Sequence, residues 1–354
     1  MISVSKTLLR AALPLALALG GVQCSNYRPE ETGGSTAPPA SVKPADDFKA
    51  TMDAFTASKD PEARSRLWFD FLKRNPDNDY TLGTIDYLVS QYYLKEKKDP
   101  DGAVRFALDH MKNIRDPKLR RSAETAMIVL YAKVGNKKEL RQLAGQVESQ
   151  RGLTLSERIL VVEAAQEAKD WEFARAQSEV LLRQNTPENI RAEAGEGKLT
   201  DEQVGQSVAR NRGQGLIVRG HAALELKNTR SALADLTEAG KLATYDYAGL
   251  PAWPFEDLDI YWAKALLQNG DPHAALEKVS IDSMIRGNKE AMEVFSEAYR
   301  ALGDNGSLDE YIARTRPTIA RTMPEFSVYN YDKKKVRYSD IKGRVTLLAF
   351  WNPG

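Results

Sequence analysis

From Asp47 to about Arg321, apolar residues recur three and four positions apart with charged residues between them. This is the period of helices that bury one face. Ala54-Phe55, Leu67-Trp68 and Phe71-Leu72 mark the buried face early in the span, and Leu216, Ala223-Leu224 and Leu226 mark it late. No segment of any length here alternates apolar and polar residues as a half-buried strand does. So long a helical span predicts a bundle or a stack of helical hairpins, and an internal period decides between the two.

A period is present. Gly135, Lys169, Lys227, Gly270 and Gly303 each precede by five residues a position that starts a second helix: Leu140, Ala174, Ala232, Ala275 and Leu308. Gly135 to Lys169 is 34 residues and Gly270 to Gly303 is 33, whereas Lys169 to Lys227 is 58 and Lys227 to Gly270 is 43. The excess falls in 186–212 and in 244–257, and weaker hairpins precede the series around Ala63 and Ala103. The clearest unit carries small residues at Gly220, Ala232 and Ala239, twelve and seven apart. That spacing resembles the tetratricopeptide repeat, whose small residues let the two helices of a hairpin approach closely. Most units lack the full set, so a generic α-α solenoid stays open beside it. In either case a single hairpin cannot bury its apolar face, and stacking makes one continuous core.

Both insertions have content. Glu193 to Val204 reads as a polar loop followed by a new helix capped by Thr200, with Gln203 three residues on. Tyr245 to Glu256 gathers Tyr245, Tyr247, Trp253 and Phe255 in a loop rich in Pro and Gly. This loop is expected either to be plugged into the fold by Trp253 and Phe255 or to form a partner-contacting lip. The plug is the preferred reading, with the four aromatics kept as candidate partner-binding residues.

The N-terminus reads as a targeting segment. Lys6 and Arg10 precede an apolar run from Ala11 to Leu19, too short to span a bilayer. Cys24 follows, and residues 1–24 resemble a bacterial lipoprotein signal with Cys24 as the lipidated residue. Gln23 departs from the small residue usual there, so plain secretion stays open. Residues 25–46 are rich in Pro, Gly, Ser and Thr and read as a disordered tether. Export to the periplasm or cell envelope, with the membrane reached through lipid on Cys24, is the expectation.

At the other end, Val345 to Trp351 is a continuous apolar run that predicts a strand buried on both faces, broken by Asn352-Pro353-Gly354. Ahead of it come Pro324, Phe326, a short hairpin around Asp332 to Lys335, and Ser339, Lys342, Gly343 and Arg344. In order and spacing these residues, with Phe350 and Trp351, resemble the opening of thioredoxin-like redoxin domains. The hairpin turn lacks the family's usual glycine. The resemblance implies thiol–disulfide or peroxide chemistry by thiolate attack and resolution by a second cysteine. It also implies that Phe350, Trp351, Asn352, Pro353 and Gly354 are scaffold approaching the active site, with the first redox residue expected immediately after Gly354. A fragment, a stop and a UGA-encoded selenocysteine are three open explanations of that placement. No catalytic residue is expected within the 354 residues.

Composition narrows the rest. With 50 basic and 49 acidic residues the net charge is +1, which gives no nucleic-acid footprint. Cys24 is the single cysteine, so no internal disulfide forms. His110, His221 and His273 have no ligand spacing, and no phosphate-binding or nucleophile motif occurs between them. No metal or cofactor is expected. The reading is mainly α: a repeat domain over 47–322, then the start of a thioredoxin-like domain over 323–354. The function expected is an exported oxidoreductase whose repeats bind a protein partner, or alternatively a non-enzymatic envelope scaffold.

Overall fold

The computed structural model describes residues 43–195, 197–244, 251–303, 306–319, 327–329 and 334–337. They carry fifteen α-helices and two short strands, and fall into two compact units that divide after Lys227.

The first unit runs α1 (Pro44–Ala57), α2 (Pro61–Arg74), α3 (Thr81–Tyr87) continuing as a π-helical segment (Leu88–Lys97), and α4 (Pro100–Met111). It goes on through α5 (Pro117–Lys133), α6 (Lys137–Arg151), α7 (Leu155–Glu167), α8 (Trp171–Gln184), α9 (Pro187–Ala194) and α10 (Asp201–Glu225). The first helix begins at Pro44, three residues inside the span read as tether, because Pro supplies a preset φ at the first helical position. Each hairpin packs its two helices together (α1 on α2, α5 on α6, α7 on α8), and first helices also pack on first helices, α5 on α7 and α7 on α10. That double contact is what a stacked helical repeat requires. Trp68, Phe71, Leu72, Ile85, Leu88 and Ile128 lie in one core cluster that continues to Ala168. Around Phe48 the rings of Trp68, Phe71 and Tyr80 lie 5.4, 5.6 and 4.1 Å away, so the first hairpin buries its face with aromatics.

The second unit runs α11 (Thr229–Leu242), α12 (Leu258–Gln268), α13 (Pro272–Met284), α14 (Lys289–Ala301) and α15 (Leu308–Ile319). Helix α12 packs on α11, α13 and α14, and α13 on α15. Two strands follow, β1 (Ser327–Tyr329) and β2 (Lys335–Arg337), antiparallel with Val328 opposite Val336. They stand where the sequence predicts a short hairpin. A pair of three-residue strands is common to many folds and does not specify one. Residues 338–354, with the apolar run and Phe350 to Gly354, lie outside the described residues, as does the signal and tether span up to residue 42.

The predicted turn residues have a shared conformation. Gly135, Gly270 and Gly303 have φ of 73, 81 and 73°, and Lys169 and Lys227 have φ of 54 and 63°. All five lie in the left-handed region that ends a helix. In three of the turns the next residue's N–H closes a bond five residues back: Asn136 to the Tyr131 carbonyl, Asp170 to Ala165 and Asp271 to Leu266. Asn136, Asn228 and Asp271 then accept a backbone N–H of the following helix. A sixth turn sits at Lys98, with φ 52°, in the weaker hairpin expected around Ala103. There the Asp99 N–H reaches six residues back to the Tyr93 carbonyl, because the helix ahead of it is π-wound. Five residues after five of these turns stand Ala103, Leu140, Ala174, Ala232 and Ala275, all fully buried, whereas Leu308, five residues after Gly303, is half-buried.

Candidate functional site

Of the residues singled out from sequence, Cys24, Tyr245, Tyr247 and Phe350, Trp351, Asn352, Pro353 and Gly354 lie outside the described residues. Trp253 and Phe255 are described, and they part company. Phe255 is buried, its N–H donating to the Ala252 carbonyl and its own carbonyl accepting from Leu258 N–H. Trp253 is 53% exposed. Of the loop's two described aromatics, Phe255 is the plug, and Trp253 presents its indole at the surface. The peptide bond between Trp253 and Pro254 is cis.

Three charged constellations were not visible in the sequence. The first is a cleft of about 420 Å3 in the first unit, bordered by Glu179, Leu182 and Arg183 of α8 and by Arg212, Leu216 and Arg219 of α10. The helical period places it: 179, 182 and 183 share one face of α8, and 212, 216 and 219 share one face of α10. The helices approach closely at Gly215, where a Cβ would sit 3.2 Å from Leu182 and 3.3 Å from Leu181. Arg183 and Arg212 have no ion-pair partner among the described residues.

The second constellation ties hairpins together. Glu157, in the first turn of α7, accepts hydrogen bonds from Arg121 at 2.8 and 2.9 Å, from Arg151 at 3.0 and 3.1 Å and from Thr154 N–H at 2.9 Å. Burial raises its carboxyl, but those bonds outweigh burial and hold it at about 2. Next to it Arg158, 2% exposed, donates to both Glu148 oxygens at 2.7 Å, to Gln177 at 2.7 Å and to Gln184 at 3.1 Å. A buried guanidinium needs this full set of acceptors. The Asp170 carboxylate likewise takes a bidentate pair from Arg141. Burial pushes that carboxyl up, and the Arg141 bonds pull it below the usual range.

The third lies in the second unit. Asp259 of α12 is buried, and burial raises its carboxyl to about 6 against the pull of Lys278, with Asp282 raising it further. Lys278 stands 3.5 Å from Asp259 and 3.9 Å from the centre of the Trp262 ring. At that distance the Asp259 contact is Coulombic, and its Oδ1 makes no directed hydrogen bond. Trp262 in turn closes on Gly240.

No known family profile matches this chain, and no curated protein does. The site is therefore read from its own chemistry. No group of three or more metal-ligating side chains occurs among the described residues. His221 is packed in the stack, its Nδ1 2.9 Å from the Gln166 amide and its ring 4.9 Å from Trp171. No described helix is long and apolar enough to cross a membrane. The described surface carries a cleft bordered by three arginines, and charged networks join neighbouring helices.

Proposed function

We propose that this chain is a tetratricopeptide-like interaction protein, exported and anchored through lipid on Cys24, whose helical surface holds a protein partner. The observation that carries the reading is the turn repeated at Lys98, Gly135, Lys169, Lys227 and Gly270: a left-handed residue, an Asn or Asp after it, and a fully buried residue five positions on. A repeat that sets its helices at a fixed spacing makes an extended surface, and such surfaces bind other chains. The near-neutral net charge argues against nucleic acid as that partner.

The experiment is site-specific photo-crosslinking from exposed positions on α5 and α10, Arg120 and Gln206, in cells expressing the chain. A discrete adduct of one added mass is expected from at least one position. Adducts from neither position, or an unselective smear from both, would overturn the reading. Lipid labelling that persists after Cys24→Ser would overturn the anchor.

A second reading is favoured by residues 324–351, whose layout resembles a redoxin opening and in which two strands pair at the place of the expected hairpin. In it the repeats serve a thiol–disulfide oxidoreductase. Cys24 is the single cysteine of the 354 residues, so the exchanging pair must come from outside them. Reading the nucleotide sequence past the Gly354 codon, and assaying insulin reduction and peroxide turnover of the longer product, tests it. Absence of a downstream frame with a cysteine or selenocysteine, or an inactive longer product, would sink it.

A further inference from the structure

We infer that the arginine-lined cleft between α8 and α10 docks an acidic segment of a protein partner, in which carboxylates flank an aliphatic side chain. The inference deepens the partner-binding reading above and rests on it. Arg183, Arg212 and Arg219 border the cleft and Glu179 is the single acid among its lining residues. Arg183 and Arg212, which have no ion-pair partner among the described residues, repel each other around one opening, and an anionic occupant relieves that repulsion. Guanidinium groups present a planar fork that matches a carboxylate with two parallel bonds, which selects carboxylate chemistry over a diffuse negative field. Leu182, half-buried, and Leu216, buried, form the smaller, apolar part of a mostly polar lining. The close approach of the two helices at Gly215 fixes this floor, since even a methyl there would press on Leu181 and Leu182. At about 420 Å3 the cleft takes a few side chains, not a domain face. A nucleic-acid strand fits it poorly: Glu179 opposes a continuous run of phosphates, and the chain as a whole lacks a basic field.

The test uses the full chain and a fluorescein-labelled peptide of alternating Glu and Leu, with a Gln-and-Leu peptide of equal length as control. Fluorescence anisotropy is expected to show saturable binding of the Glu peptide alone, weakened about tenfold or more between low salt and ~0.5 M salt. Arg183→Gln and Arg212→Gln are each expected to weaken binding by about tenfold, the scale of one charge-assisted hydrogen bond. Arg212→Lys keeps the charge without the fork, and is expected to recover part of that loss. Circular dichroism melts of the variants should overlay the parent, because both side chains are exposed. Three results overturn the proposal: equal affinity of parent and Arg→Gln variants, equal binding of the Gln peptide, or a single-stranded oligonucleotide that competes at lower concentration than the Glu peptide. Failure of the peptide alongside a discrete photo-crosslink from Arg120 or Gln206 removes the cleft assignment and leaves partner binding standing. Failure of both removes the two together.

Discussion

Replacing Glu157 with Gln isolates the electrostatic part of the network that joins α5, α6 and α7. Gln still accepts the Thr154 N–H through its one amide oxygen, so the capping box of α7 survives, while the charge facing Arg121 and Arg151 is lost together with the second oxygen that accepts from both. The folded carboxyl titrates at about 2 against an ordinary 4.5. A depressed folded pKa stabilises above the unfolded value, so the contribution is complete above about pH 5 and fades as pH falls towards 2. That difference corresponds to about 3 kcal/mol at pH 7, about 1 at pH 3 and a small fraction of that at pH 2. Glu157 is 8% exposed, so solvent screening takes little from this. The orphaned cations add little too, since Arg151 keeps Glu124 at 3.0 Å and the Arg121 side chain is 44% exposed. Hydrogen–deuterium exchange of α7 amides, corrected for intrinsic rates, reads the opening free energy of this region directly. The variant should open more easily by about 3 kcal/mol at pH 7, and the two proteins should converge near pH 2. A gap that stays constant with pH, or one below about 0.5 kcal/mol at pH 7, would refute the account of Glu157 as a charge-held joint.

Asp259 has the opposite sign: its folded carboxyl is raised, so the protein loses stability as pH climbs from about 4 through 6. Asp259→Asn is expected to be more stable than the parent by about 1–3 kcal/mol at pH 7 and indistinguishable at pH 4, read by urea titration at both values. Gly240→Ala places a Cβ 2.4 Å from the Trp262 ring, and a loss of about 1–3 kcal/mol with a lowered melting temperature is expected. Lys169→Gly and Lys227→Gly relieve a left-handed residue and should raise the melting temperature, whereas Gly135→Ala and Gly270→Ala should lower it, each by about 1 kcal/mol. Leu236→Ala empties a fully buried site of α11 and is expected to cost about 2–5 kcal/mol in a denaturant titration.

The repeat register was legible because a left-handed turn and its cap are local events, specified by two or three neighbouring residues. Gly135, Lys169, Lys227, Gly270 and Gly303 announced themselves in this way, and so did the Thr200 capping box that starts α10. The turn at Lys98 was legible only as a weaker hairpin around Ala103, because the π-wound segment before it shifts the apolar residues off the α-helical period. The cleft was illegible for a different reason. Arg183 and Arg212 stand on helices that meet across the intervening α9, and on each helix alone an arginine reads as part of a solvated face. Arg158 was illegible for the same reason, since only the fold supplies Glu148, Gln177 and Gln184 to justify burying it. Phe255 and Trp253 were read as one plug, and the loop geometry separates them.

The left-handed turn works as punctuation. Because each mark is written in a few adjacent residues, the text between marks is free to vary in length: 34 and 33 residues in two repeats, 58 and 43 in two others. The 58-residue interval holds an extra helix, α9, yet the turn at Lys227 has the same conformation as the turn at Lys169. An ancestral array written this way can acquire new material between two marks without rewriting the hairpins on either side. An insertion or deletion confined to one interval therefore changes the exposed surface there while the turns on either side keep their conformation.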